Sequence, residues 1–207
     1  MSSTNRGRKR APNDLYETPP WAVKRFLEAV AVHLPAGHWL EPSCSTGKII
    51  RTVESMSWDD ESIKWHSVEL RKVKPPTKRH HHGDFLKWKT KQRFAVILGN
   101  PPYSLAMEFV QKSLTLLDPR VNGACVALLL RLGFLESSKR CAWLRENTPS
   151  IYVLPNRPSF RWKGNDSATY AWLVWRRWDG NSERLLPTVT ILDKTPKAER
   201  LADRKRT

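Results

Sequence analysis

Asn100-Pro101-Pro102-Tyr103 is the stretch of this chain best suited to chemistry. It follows the apolar run Phe94-Ala95-Val96-Ile97-Leu98 and Gly99, so it stands at the end of an expected buried strand. Each proline fixes its own φ and restricts the residue before it, which makes the turn stiff. The Asn100 side-chain oxygen and the Pro101 carbonyl can then point into one small volume. Both accept hydrogen bonds, so together they suit a planar –NH₂, with the Tyr103 ring able to stack on the base or amide that carries it. The competing reading is a proline-rich turn with no ligand.

A second loop, Glu41-Pro42-Ser43-Cys44-Ser45-Thr46-Gly47, lies between an expected strand and an expected helix. Its small residues let a backbone approach a cofactor, and the helix start offers free N–H groups. Lys48 after Gly47 does not make a nucleoside-triphosphate loop, because the Gly-x-x-x-x-Gly-Lys-[Ser/Thr] pattern is absent. His80-His81-His82 does not read as a metal site. Three consecutive strand residues cannot all face one ion, and no cysteine or carboxylate pattern completes a ligand set.

The elements that must position these loops alternate in type. Thr18-Pro19-Pro20 opens a helix whose apolar face is Val23, Phe26, Leu27 and Val30. Strands are expected at His38–Glu41, Lys64–Leu70, Lys78–His82, Phe94–Gly99, Ala124–Leu132, Ile151–Leu154 and Thr169–Trp175, with helices at Thr46–Met56 and Leu105–Leu117. The pattern predicts an α/β fold: a seven-stranded, mostly parallel sheet covered by helices on both faces. Ligands then bind outside the carboxyl ends of the strands, where strand order reverses.

The 207 residues fit one catalytic domain, 13–192, between a basic tail at 1–12 and another at 193–207, both expected to be frayed. Lys plus Arg total 36 against 20 Asp plus Glu, a formal net charge of +16, which suits a polyanionic partner. The longest apolar run, Ala124 to Leu130, is too short to span a bilayer, and Met1 to Arg10 lacks the apolar core of a secretory signal. Cys44, Cys125 and Cys141 have no metal-like spacing, so a reduced, cytoplasmic setting is expected.

An acidic-Pro-x-x-x-x-Gly loop after the first strand, followed by Asn-Pro-Pro-Tyr after the fourth, resembles the S-adenosylmethionine-dependent N6-adenine DNA methyltransferases. Tyr16-Glu17-Thr18-Pro19-Pro20-Trp21 ahead of the loop is similar to the small phage and mobile-element members with gamma motif order, as are Arg157-Pro158-Ser159-Phe160 and Tyr170-Ala171-Trp172-Leu173-Val174-Trp175. The resemblance implies a Rossmann-like class I methyltransferase fold and S-adenosylmethionine as cofactor. It implies that Glu41, Pro42, Ser43, Ser45 and Gly47 wrap the methionine part, that Tyr16, Thr18 and Pro19 close over its amino acid end, and that Asn100 borders it. Glu69 would bind the ribose hydroxyls, Asp84 would accept from the cofactor adenine, and Phe85 would pack on its ring. Asn100, Pro101, Pro102 and Tyr103 would form the catalytic turn, with Phe160 as a second wall of the base pocket. An ordinary surface carboxylate is the alternative for Glu69 and Asp84, and a core aromatic for Phe160. Relatives usually have glycine where Ser45 stands, so serine there carries strain if φ is positive.

Adenine in DNA, adenine in RNA and a glutamine amide all present a planar –NH₂. The charge favours nucleic acid over a protein, and the motif order favours DNA. The chain leaves no room for a separate target-recognition domain, which implies a short or relaxed recognition sequence, or a protein partner that supplies one. The alternatives are an RNA adenine N6-methyltransferase and an inactive nucleic-acid-binding module.

Overall fold

The apolar face expected after Thr18 forms α1, Pro20–Val30, with Trp21, Val23, Phe26, Leu27 and Val30 all buried. The computed structural model describes residues 17–30, 33–56, 62–158, 160, 168–177 and 187–205. After α1 come β1 (Gly37–Glu41), α2 (Lys48–Glu54), β2 (Ile63–Glu69), β3 (Arg79–His82), β4 (Val96–Gly99), α3 (Ala106–Leu116), β5 (Cys125–Arg131), α4 (Cys141–Glu146), β6 (Ser150–Val153), β7 (Tyr170–Arg176), β8 (Val189–Ile191) and α5 (Lys197–Lys205).

All the strands join one sheet in the order β3-β2-β1-β4-β5-β7-β6-β8. The first five of these are mutually parallel, and β7 runs antiparallel to both β5 and β6. The sheet has eight strands rather than the expected seven. The extra one, β8, pairs parallel with β6 at the edge, and its Val189 and Ile191 are exposed, so no buried apolar run announces it.

Side chains alternate across the sheet, as strand geometry requires. Trp39, Trp65, Val96, Leu98, Ala127, Leu129 and Trp172 face α1 and α2. Leu40, Ile97, Val126, Leu128, Leu130, Leu173 and Trp175 face α3. Both faces are covered, and the central strands β4 and β5 read as continuous apolar runs for that reason.

The stretch after Leu192, expected to be a frayed tail, instead carries α5. This helix docks on α1 through Arg25, which pairs with Glu199 at 2.5 Å and donates to the Thr195 hydroxyl at 3.3 Å. The N-terminal tail and Tyr16 lie outside the described residues, as do Ser159 and Trp178.

Candidate functional site

Strand order reverses between β1 and β4, and the loops leaving these two strands meet there. Their approach is close. A Cβ on Gly99 would lie 2.9 Å from Pro42 Cδ, closer than real Cβ atoms approach a neighbour. The Ser43 hydroxyl donates to the Asn100 carbonyl at 3.2 Å, a cross-link between the two loops. The recess they border holds about 220 Å³ of space, part of it open to solvent. Thr18, Glu41, Ser43, Ser45 and Asn100 line it, all of them expected from the sequence, as does Cys44 of the same Glu41–Gly47 loop, together with Glu17, Lys48 and Ile49, which were not expected.

The β1–α2 loop holds two left-handed residues. Ser45 has φ 50° and Gly47 φ 82°. Serine pays the Cβ penalty that a glycine at that position avoids. Gly47 has a further constraint: a Cβ there would stand 2.3 Å from Pro76 Cβ, so the β2–β3 loop presses directly on it. The loop backbone is held from β2, with Cys44 N–H donating to the Val68 carbonyl at 3.0 Å and Ser45 N–H to Glu69 Oε2 at 2.7 Å.

Glu41 is the most unusual charge in the recess. Its side chain is 2% exposed and its Oε2 has no hydrogen-bond partner. Burial, reinforced by the charge of Glu69, raises its pKa well above the ordinary carboxylate value, despite the opposing pull of the Ile50 backbone amide and Arg51. The Ser45 hydroxyl is also buried without a partner. Burial and the charges of Glu41 and Glu69 push the Cys44 thiol up to about 12. At the mouth, Glu17 pairs with Lys48 at 2.8 Å and accepts from the Thr46 hydroxyl. Burial alone would raise the Glu17 pKa, but Lys48, Thr46 and Arg51 together hold it below the ordinary value.

Glu69 stands at the end of β2 as expected, yet both its oxygens are engaged by the protein. Oε2 takes the Ser45 amide and Oε1 takes the Arg71 amide and guanidinium at 3.0 and 2.9 Å. Asp84 follows β3, and its Oδ1 accepts from the Leu86 amide at 2.9 Å. Phe85 is 2% exposed and packs on Phe109 with ring centroids 4.9 Å apart, under α3.

Beyond Asn100, Pro101 is buried and Pro102 exposed, and Tyr103 turns into an aromatic corner. Its ring lies 5.6 Å from Tyr170 and 6.4 Å from Phe160, which meets it edge-on. Phe160 is only 8% exposed and packs on Tyr170 at 5.0 Å, so it backs this corner from the core side. Arg131, at the end of β5, places its guanidinium 5.2 Å from the Tyr103 ring centre and donates from Nε to the Tyr170 hydroxyl at 3.1 Å. Sequence reasoning missed Arg131. The available signal was its place at the carboxyl end of the longest apolar strand.

His80 bonds the Ser67 hydroxyl at 2.8 Å, while His81 stacks on Trp88. Among the described residues, no group of three or more His, Cys, Asp or Glu side chains could hold a metal ion, and no helix is long and apolar enough to cross a membrane.

No family model matches the chain. Over 152 residues it is 31% identical to the type II methyltransferase M.TthHB8I of Thermus thermophilus, a match covering 67% of this chain and 34% of that protein. The chain therefore spans about a third of the length of this relative. Among solved structures, the type I restriction–modification methyltransferase subunit of Streptococcus thermophilus superposes with a TM-score of 0.64 at 15% identity, covering 96% of this chain and 55% of that one. A Listeria monocytogenes protein assigned to the class I S-adenosylmethionine-dependent methyltransferases gives 0.62 at 11% identity, covering 95% and 72%. The fold is that of the class I methyltransferases. Likeness to these proteins implies S-adenosylmethionine as the cofactor. The site fits such a ligand: the partnerless Glu41 oxygen in the recess suits a cationic amine.

Proposed function

We propose that this protein transfers a methyl group from S-adenosylmethionine to the N6 amino group of adenine in DNA, with a short or relaxed recognition sequence. One observation carries the reading: Asn100 lines the same recess as Glu41 and Ser45, at the point where strand order reverses. When bound, S-adenosylmethionine supplies an electrophilic methyl group on a sulfonium.

The chain's own residues do the rest. Glu41 opposes the ammonium of the cofactor, and Pro42, Ser43, Ser45 and Gly47 wrap its methionine part, with Tyr16, Thr18 and Pro19 above. Asp84 accepts from the cofactor's adenine amine. Glu69, whose oxygens hold Ser45 and Arg71, positions the loop. At the acceptor side, the Asn100 side-chain oxygen and the Pro101 carbonyl take both hydrogens of the substrate amine. This orients a nitrogen whose lone pair is otherwise delocalised into the ring, and it stabilises the positive charge that develops there. Pro102 stiffens the turn, and Tyr103 stacks on a base that has left the helix, with Phe160 behind. No general base is needed before transfer, because the proton becomes acidic afterwards.

The formal charge of +16 supports a nucleic acid over a protein glutamine. Likeness to a type II methyltransferase supports DNA over RNA. The test offers labelled S-adenosylmethionine to duplex DNA, single-stranded DNA, ribosomal RNA and a protein mixture, then locates the methylated atom. N6-methyladenine in DNA is expected. Asn100→Ala should lose transfer by about a hundredfold or more while binding cofactor within a few-fold of wild type. Methylation of RNA alone would replace the substrate, and absence of both transfer and cofactor binding would overturn the enzymatic reading.

A further inference from the structure

Residues 71–93 hold nine Lys or Arg, three His and a single acid, Asp84. The fold gathers this segment at one place. It supplies β3, the edge strand of the sheet, together with the loops before and after it. Lys72, Lys74, Lys78 and Arg79 are exposed on the leading side, and Lys87, Lys89 and Lys91 on the trailing side. Trp88 stacks on His81 with centroids 5.5 Å apart and planes 22° from parallel, which holds the trailing segment against the strand. Among the described residues, none of these seven cations makes an ion pair.

Edge strands carry lysines to prevent sheet extension, but that role needs charge within the strand, and here six of the seven cations lie in the flanking loops. The aromatic side chains of the segment argue against single strands. Phe85 is buried and Trp88 is engaged by His81, so no ring is offered as a stacking platform. What remains is dense positive charge without base-reading geometry, the character of a phosphate-backbone contact. The leading loop is also anchored to the β1–α2 loop that borders the recess, through Arg71 on Glu69, which holds the Ser45 amide, and Pro76 against Gly47.

We propose that the β3 edge is a docking surface for the phosphate backbone of duplex DNA, flanking the base that enters the recess. The inference rests on the nucleic-acid reading above and adds to it where the duplex is gripped.

The test measures duplex DNA affinity against salt concentration for wild type, for K72Q/K74Q/K78Q/R79Q, for K87Q/K89Q/K91Q, and for a control, K139Q/R145Q/K194Q/K197Q, that removes four exposed cations elsewhere. Each neutralised phosphate contributes about 0.9 to the log–log salt slope. Both edge variants should lower that slope by about 2 or more and weaken binding at least tenfold at low salt, with cofactor affinity within about twofold. Arginine at the same positions should restore the slope. The control should change the slope by less than about 1. Edge variants that track the control overturn the inference, even if the wild type methylates adenine. If the edge variants lose duplex binding but the wild type transfers no methyl group, the docking surface stands and the proposed reaction falls. Equal loss on duplex RNA would assign the surface to duplex phosphates in general and overturn its restriction to DNA.

Discussion

The Asp203 carboxylate accepts a hydrogen bond from the backbone amide of Trp21 at 2.8 Å, across 182 positions of sequence. Trp21 is in the first turn of α1, where backbone amides have no partner within the helix. The C-terminal helix thus caps the N-terminal one. Asp203→Ala should lower stability by about 1 kcal/mol, the usual value of a lost cap, read as a drop in Tm of about 2–4 °C for a domain of this size. Asp203→Asn should retain most of it. No change in either variant would mean the contact contributes nothing in solution.

Ser45 and Gly47 should respond to substitution in opposite ways. Ser45→Gly relieves a residue at φ 50° and should raise stability by about 0.5–1 kcal/mol in chemical denaturation. Gly47→Ala introduces a Cβ 2.3 Å from Pro76 Cβ at φ 82°, and should lower stability by about 2 kcal/mol or more while weakening cofactor binding. A stable Gly47→Ala protein with normal affinity would show that the loop and Pro76 move apart freely.

On the proposed reading, Glu41 makes cofactor binding a proton-linked event. Its folded pKa is raised by burial, so the stability it gives is present below the unfolded value of 4.5 and is lost as pH rises through the folded pKa. A cationic amine against its oxygen favours the ionised form and expels the proton. Calorimetry in buffers of different ionisation enthalpy should therefore record proton release on cofactor binding, up to about one per site. Glu41→Gln should abolish the release, weaken binding at least tenfold, and stabilise the ligand-free protein above the titration. Unaltered proton release in the variant would assign it to another group.

His66 sets an acid limit on the fold. Its pKa is lowered to about 4 by burial and by the charges of His38 and Arg79, and its Nε2 lies 2.9 Å from His38 Nδ1. The unfolded chain takes up the proton near 6.5 while the folded chain resists, so stability falls as pH drops from about 6.5 towards 4. The contribution is on the order of 1–2 kcal/mol at pH 4.5, after discounting for partial exposure. His66→Asn should flatten this part of the stability profile. A profile as steep as wild type would put the effect elsewhere.

Much of the architecture could be read from periodicity. The buried strands β4, β5 and β7 announce themselves as apolar runs, and Thr18-Pro19-Pro20 marks the start of α1. β8 does not, because Val189 and Ile191 point to solvent at a sheet edge. α5 was obscured by its charge, although Thr195-Pro196 before a Lys-Ala-Glu-Arg-Leu run is a usable start signal. At the site, loops could be ordered along the chain, so the meeting of Glu41, Ser45 and Asn100 was legible. Side-chain commitments were not. That Arg71 occupies the Glu69 carboxylate, and that Phe85 turns under α3, depend on packing between segments that no local pattern encodes.

Gly99 leaves one last consequence. Because Pro42 Cδ would stand 2.9 Å from any methyl there, the smallest residue acts as a gauge block between the two halves of the proposed reaction centre. In the proposed reaction, its thinness sets how near a methyl donor and its acceptor nitrogen can be brought. Alanine at that spot would act as a shim, and in-line displacement punishes even a small added gap more steeply than binding does.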